Sequence, residues 1–169
     1  MLPSLKTVLY ATDLGRHAPL VLRYALSIAH SHGGSVVIVH AVEPLGPAAR
    51  HMVELYTGQE DAALAEQRRG PELERELQGR LQALCEGEVC TDAAGRGLIA
   101  GIRVLTGRPD EVILAEAARI APDVIVMGSH GHTTMGEIFL GSTAHRVTQQ
   151  ATVPVLLVRT GEADTGAGL

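Results

Sequence analysis

Within this chain of 169 residues, the side chains most able to do chemistry crowd into one stretch, Gly128-Ser129-His130-Gly131-His132-Thr133, closed further on by Gly141-Ser142-Thr143. Glycines let a backbone turn sharply and approach an anion closely, since no Cβ stands in the way. Free N–H groups in such a turn and at the start of a helix stabilise phosphate oxygens, and the Ser142 and Thr143 hydroxyls add donors where a helix should begin. The same residues also suit a plain tight turn with Ser142 as an N-cap, so composition leaves both readings standing. His130 and His132 fit phosphate or ribose contact, solvent exposure or metal ligation. No carboxylate or Cys beside them completes a recognisable ligand set, so no metal site is expected.

Competing motifs fail on context. Gly95-Arg96-Gly97-Leu98-Ile99-Ala100-Gly101 superficially matches a dinucleotide fingerprint, but it precedes a strand instead of following one and reads as a flexible turn. A Walker-type loop needs a Lys after its last Gly, and the only Lys in the chain is Lys6, near the N-terminus. Ser129 misses the hydrolase elbow because Met127 stands where that motif has Gly. Asp13 is the one carboxylate that strand order would bring near the phosphates. No set of base, nucleophile and transition-state cation can be assembled around it, so catalytic residues are unassigned and binding is favoured over turnover.

The elements that must position these residues alternate. Near-continuous apolar runs at Thr7 to Ala11 and Ser35 to Val42 read as parallel strands covered on both faces. Between them Leu22, Ala25, Leu26 and Ala29 keep helical spacing, and Gly33-Gly34 supplies the stop. Further strands are expected at Ile102 to Leu105, Val124 to Met127 and Val153 to Val158. A helix between the first two of these has Pro109, Asp110 and Glu111 in its first turn and Ile113, Leu114, Ala117 and Ala118 as its apolar stripe. The expected fold is α/β: a single-domain, open, parallel five-stranded sheet with helices on both faces, Rossmann-like. Residues 1–160 form the domain, with 43–70 as a surface excursion before a helix that restarts near Pro71 and runs to about Leu84; 161–169 read as a flexible tail. In such sheets ligands lie beyond the strand ends where strand order reverses, which directs attention to Asp13, Ala41 to Pro44, Thr106-Gly107-Arg108 and the segment from Gly128 onward.

Bulk properties exclude other classes. Fourteen basic against 19 acidic residues give a net charge of -5, which leaves no broad cationic face for a nucleic-acid backbone. No apolar run approaches the roughly 20 residues needed to span a bilayer, and the N-terminus lacks a secretory pattern, so a cytoplasmic protein without membrane contact is expected. Cys85 and Cys90 match neither a zinc pair nor a redox CxxC spacing and read as free thiols, with a disulfide or redox-sensing pair as the alternative that only their proximity supports.

Gly128, Gly131, Gly141 and Ser142 follow the pattern Gly, two residues, Gly, nine residues, Gly, Ser/Thr, which resembles the ATP-binding signature of the universal stress protein family. The likeness extends along the chain through Val8-Leu9-Tyr10-Ala11-Thr12-Asp13, His40-Ala41-Val42, Gly107-Arg108-Pro109, Asp123 to Gly128 and Val153 to Val158. This resemblance implies an adenine nucleotide α-hydrolase-like fold that binds ATP or another adenine nucleotide, with or without Mg. It implies that Ala11, Thr12 and Asp13 hold the nucleoside and that Ala41 lines the adenine pocket. Met127, Gly128, Ser129, His130, Gly131, His132 and Thr133, with Gly141, Ser142 and Thr143, would hold ribose and phosphates. It further implies a homodimer formed through the last strand, acting as a stress-response or signalling module whose nucleotide tunes conformation or partner binding. A slow Mg-dependent ATPase and a nucleotide-free scaffold are the alternatives. Ala11 stands where ATP-binding relatives often carry Pro, a change in stiffness more than in chemistry.

Overall fold

A strand hydrogen-bonded on both sides and covered on both faces buries the side chains it carries, and in the chain's opening strand Val8, Leu9 and Tyr10 are inaccessible to solvent. The computed structural model describes residues 3–44, 46–57, 59–89, 97–130 and 140–160. The elements run β1 (Thr7–Ala11), α1 (Ala18–His32), β2 (Ser35–Val42), α2 (Pro47–Thr57), α3 (Gln59–Val89), β3 (Ile99–Thr106), α4 (Pro109–Ile120), β4 (Val124–Gly128), α5 (Ser142–Gln150) and β5 (Val155–Val158). The strands form one parallel sheet in the order β3-β2-β1-β4-β5. Leu9 sits opposite Val37 on one side and Ile125 on the other. The chain winds outward from β1 through β2 to β3, then returns to add β4 on the opposite side of β1. The reversal therefore falls between β1 and β4, and their carboxyl ends open a crevice.

Alternation along the strands divides the core in two. Val8, Tyr10, Ile38 and Val126 pack under α1 and α3 with Leu22, Ala25 and Leu81, whereas Leu9, Val39, Ile125 and Met127 pack under α4 and α5 with Ile113 and Val147. Each fully buried aliphatic side chain contributes about 1.5–3 kcal/mol. The buried stripe of α1 comprises Ala18, Val21, Leu22, Ala25 and Ala29, with Leu26 only partly covered. Gly33 caps this helix in the left-handed conformation at φ 61°, its N–H directed at the Ala29 and His30 carbonyls. Gly34 serves a different need: a Cβ there would land on the backbone of Lys6, whose carbonyl accepts from Ser35 N–H at 2.7 Å. The N-terminal segment is also tied to the β4 side by Asp123, whose Oδ2 accepts from the Lys6 and Thr7 N–H groups, each at 2.8 Å.

Several boundaries differ from expectation. The third strand begins at Ile99, not Ile102, and includes Gly101, so the end of the glycine-rich stretch is strand and not turn. Backbone pairing compensates for the missing side chains: Val36 N–H donates to the Leu98 carbonyl at 2.6 Å, and the register shift between Val36 and Val37 absorbs Ala100 as a bulge. The fourth strand extends to Gly128, and the fifth is confined to Val155–Val158. Pro154 has no N–H for a ladder, although its carbonyl accepts from Ile125 N–H at 2.9 Å. The excursion after β2 contains α2, and Pro71 lies inside α3 instead of starting it. An interior Pro forfeits one backbone hydrogen bond, and the preceding Gly70 has no Cβ to clash with the ring. Leu77, Leu81 and Cys85, four residues apart, form the buried stripe of α3. Cys85 is a free thiol that burial and the neighbouring Glu86 push up to about 11, whereas Cys90 lies outside the described residues. No helix among the described residues is long and apolar enough to cross a membrane.

The inward face of α4 also departs from the expected stripe. Val112, Ile113 and Glu116 are buried, Leu114 and Ala117 are partly covered, and Ala118 is exposed. Glu116 is tolerated inside because Arg119 reaches back to it through two hydrogen bonds, at 2.9 and 2.6 Å. These bonds, with the Arg119 and Arg103 charges and against the opposing effect of burial, hold its carboxyl below the ordinary glutamate range. A carboxyl lowered in the folded state stabilises above its unfolded value of about 4.3 and loses that contribution as pH falls through the folded value. Urea unfolding should therefore show stability falling from about pH 5 to pH 3, and Glu116→Gln should be less stable at neutral pH with a shallower acid slope. An unchanged slope in the variant would assign the acid sensitivity elsewhere.

Candidate functional site

The crevice is built from backbone ends held at fixed positions. Past β1, Thr12 N–H continues the ladder to the Val39 carbonyl at 3.0 Å. Its hydroxyl accepts from Leu14 N–H at 3.1 Å, and Asp13 Oδ1 accepts from Gly15 N–H at 2.8 Å. These side-chain-to-backbone turns hold the connection to α1, where Leu14 takes φ 57°. Tyr10 OH fixes the helix itself by donating to the Ala18 carbonyl at 2.9 Å. From β2, the His40 ring lies with Nδ1 2.7 Å from the Thr12 carbonyl. A carbonyl only accepts, so Nδ1 carries the proton, and in the neutral ring Nε2 is an acceptor.

On the other side of the reversal, Ser129 N–H donates to the Val158 carbonyl and the Ser129 carbonyl accepts from Gly141 N–H, both at 2.8 Å. One residue thus fixes both the point where the chain leaves β4 and the point where it returns to begin α5. Gly141 is the N-cap of α5, with no side-chain cap among the described residues, so Ser142 is the first helical residue and not the cap. The first turn of α5 contains no acidic residue. In contrast, α4 places Asp110 and Glu111 in its first turn. Apart from Gly141 N–H, which the Ser129 carbonyl accepts, the leading N–H groups of α5 have no side-chain cap among the described residues, so the positive end of its dipole suits an external anion.

These ends enclose a cavity of about 360 Å³, within the range of small-molecule sites. Among the residues expected at the site, Ala11, Thr12, Asp13, Ala41, Met127, Gly128, Ser129, His130, Gly141, Ser142 and Thr143 line it, whereas Gly131, His132 and Thr133 lie outside the described residues. Lining residues that sequence reasoning did not assign to a ligand include His17, His40, Glu43, Pro109, Ile113 and Thr160. Pro109 and Ile113 had a usable signal, since just beyond the end of β3 Pro109 directly follows Gly107-Arg108 and Ile113 lies one turn into α4. Thr160 had none. Among the described residues no three His, Cys, Asp or Glu side chains gather as a metal set.

The sequence profile of the universal stress protein family matches residues 4–159. The chain belongs to the universal stress protein family. A curated family member from Thermus aquaticus is 36% identical over 154 residues, covering 91% of this chain and 98% of that relative. Among solved structures, the MJ0577 protein of Methanocaldococcus jannaschii superposes with a TM-score of 0.73 at 24% identity, covering 95% of this chain and 100% of that one. A universal stress protein in complex with cAMP superposes at 0.57 with 21% identity, covering 94% and 100%. These likenesses establish the fold of this family member; the polar character of its crevice is a property of its own residues.

The start of α5, acid-free and without a side-chain cap among the described residues, gives a testable asymmetry. Ser142→Asp should stabilise the helix by about 0.3–1 kcal/mol through the dipole, measured by urea unfolding at low salt. The same substitution should weaken binding of inorganic tripolyphosphate at least about tenfold, because the new carboxylate occupies the anion's place. Loss of stability, or unchanged anion affinity, would show that these amides do not face an anion site.

Proposed function

We propose that this family member binds an adenine nucleotide, ATP foremost, in the crevice between β1 and β4, and acts in the cytoplasm as a dimeric module whose occupancy alters its conformation or its partner surface. The observation carrying the reading is the start of α5, acid-free and without a side-chain cap among the described residues, lining a cavity that also contains the ends of β1 and β2. The purine belongs beside Ala41, with Pro109 and Ile113 offering apolar surface; the ribose belongs by Ala11, Thr12 and Asp13. The phosphates belong along Met127, Gly128, Ser129 and His130 and at Gly141, Ser142 and Thr143, with Gly131, His132 and Thr133 completing the loop. The structural neighbour complexed with cAMP supports an adenine ligand as the class.

Mg, where it accompanies the phosphates, requires oxygen ligands and typically uses one or two carboxylates beside phosphate oxygens. Asp13, together with the Ser142 and Thr143 hydroxyls, provides oxygen donors of that type in the cavity wall. The metal would shield phosphate charge. Asp13, already turned toward Gly15 N–H by its Oδ1, would orient it. The dimer is placed on β5, which is the edge of the sheet and leaves Leu156 37% exposed. An apolar edge of this kind is stabilised by pairing with a second copy.

The test is to heat-denature freshly purified protein and identify the released small molecule by mass, with sedimentation of the loaded and stripped forms run beside it. The proposal predicts an adenine nucleotide, a change in assembly or shape on stripping, and loss of retention in Gly141→Val, whose side chain fills the phosphate end. Protein that carries no nucleotide and fails to take up ATP would overturn it in favour of a scaffold. Steady release of ADP from added ATP, abolished in Asp13→Ala, would favour the slow ATPase.

A further inference from the structure

Thr160 lies two residues beyond β5, outside every sequence motif, yet it is 5% exposed and lines the cavity. Its N–H donates to Ser129 Oγ at 3.1 Å. Its hydroxyl accepts from His130 N–H at 3.2 Å and donates to the His130 carbonyl at 3.3 Å. One hydroxyl therefore holds both backbone polar groups of His130, the last described residue before the chain returns at residue 140. Ser129 Oγ is in turn 2.9 Å from His130 Nδ1, so the serine hydroxyl and the histidine ring are held in the same cluster. The methyl group contributes as well: a Cβ on Gly128 would meet Thr160 Cγ2 at 3.3 Å and the His130 carbonyl oxygen at 3.4 Å. The β4–β5 ladder, which pairs Gly128 with Val158, thus continues past the end of the sheet as a side-chain clasp on the wall of the cavity.

We infer that Thr160 is a positioning residue of the nucleotide site. It sets the direction in which the backbone leaves β4, and through His130 and Ser129 it sets the placement of the groups that meet phosphate. The inference rests on the nucleotide reading above and adds a residue from the C-terminal segment to it. Thr160 acts at the β4 side of the crevice, away from the end of β2 where the purine is placed. Its contribution should therefore scale with the phosphates and not with the nucleoside.

The experiment is calorimetric titration of the full chain with ATP and, separately, with adenosine, for wild type, Thr160→Val, Thr160→Ser and Thr160→Ala. Thr160→Val keeps the branched shape and removes only the hydroxyl, so it should weaken ATP about tenfold and adenosine less than about twofold. Thr160→Ser, which keeps the hydroxyl, should restore ATP affinity to within about threefold of wild type. Thr160→Ala, which removes the same hydroxyl without a methyl in its place, should reproduce the ATP-selective loss, which keeps the inference testable if Thr160→Val does not fold. Wild-type protein that binds ATP while Thr160→Val binds it equally well, or loses ATP and adenosine in equal proportion, would overturn this inference alone. Wild-type protein that binds no ATP would overturn the nucleotide reading beneath it.

Discussion

The leading N–H groups of a helix need acceptors, and the start of α5 meets that need neither with a capping side chain among the described residues nor with an acidic first turn. The rest of the architecture gives this helix start its position. A parallel sheet with β1 at its centre sends every strand toward the same edge, and the reversal of order between β1 and β4 opens that edge where α5 begins. Ser129 fixes the geometry locally by holding β5 through its N–H and Gly141 through its carbonyl. The helix terminus is thus tied directly to the sheet.

The polar groups of the cavity differ along its length. At the ends of β2 and β1 are Glu43 and Asp13, acceptors suited to hydroxyl and amino groups; at the end of β4 and the start of α5 are backbone amides and the Ser142 and Thr143 hydroxyls, donors suited to anionic oxygen. His40 stiffens the first of these halves by donating to the Thr12 carbonyl, which joins the end of β2 to the turn after β1. A ligand that is neutral and hydroxyl-bearing at one end and anionic at the other matches this arrangement. An anion alone would leave the carboxylate half unmatched.

The sequence was most readable where both faces of a strand are buried. The bounds of β1 and β2 follow directly from their apolar runs, because packing on both sides permits little else there. The edge strand β3 was shortened in the reading, since Ala100 and Gly101 carry no strand signal and their place is fixed by backbone pairing with β2. Pro71 points the other way: a proline suits the first turn of a helix, yet α3 runs through it from Gln59 to Val89, while the buried residues Leu77, Leu81 and Cys85 all follow it. The rule that ligands gather at strand ends points to Asp13, Ala41, Glu43 and Gly128, which the fold brings around one cavity, and also to Thr106, Gly107 and Arg108 at the end of β3, which do not line it. Thr160 was out of reach because its relation to His130 arises only when β5 pairs with β4, across about thirty intervening residues.

The most direct measurement of the central claim is a crystal structure of the protein grown with excess Mg-ATP. The account predicts phosphate oxygens about 2.7–3.2 Å from the backbone nitrogens at the start of α5, with the adenine beside Ala41. Density for solvent alone in that crevice, or a nucleotide bound elsewhere on the molecule, would contradict it.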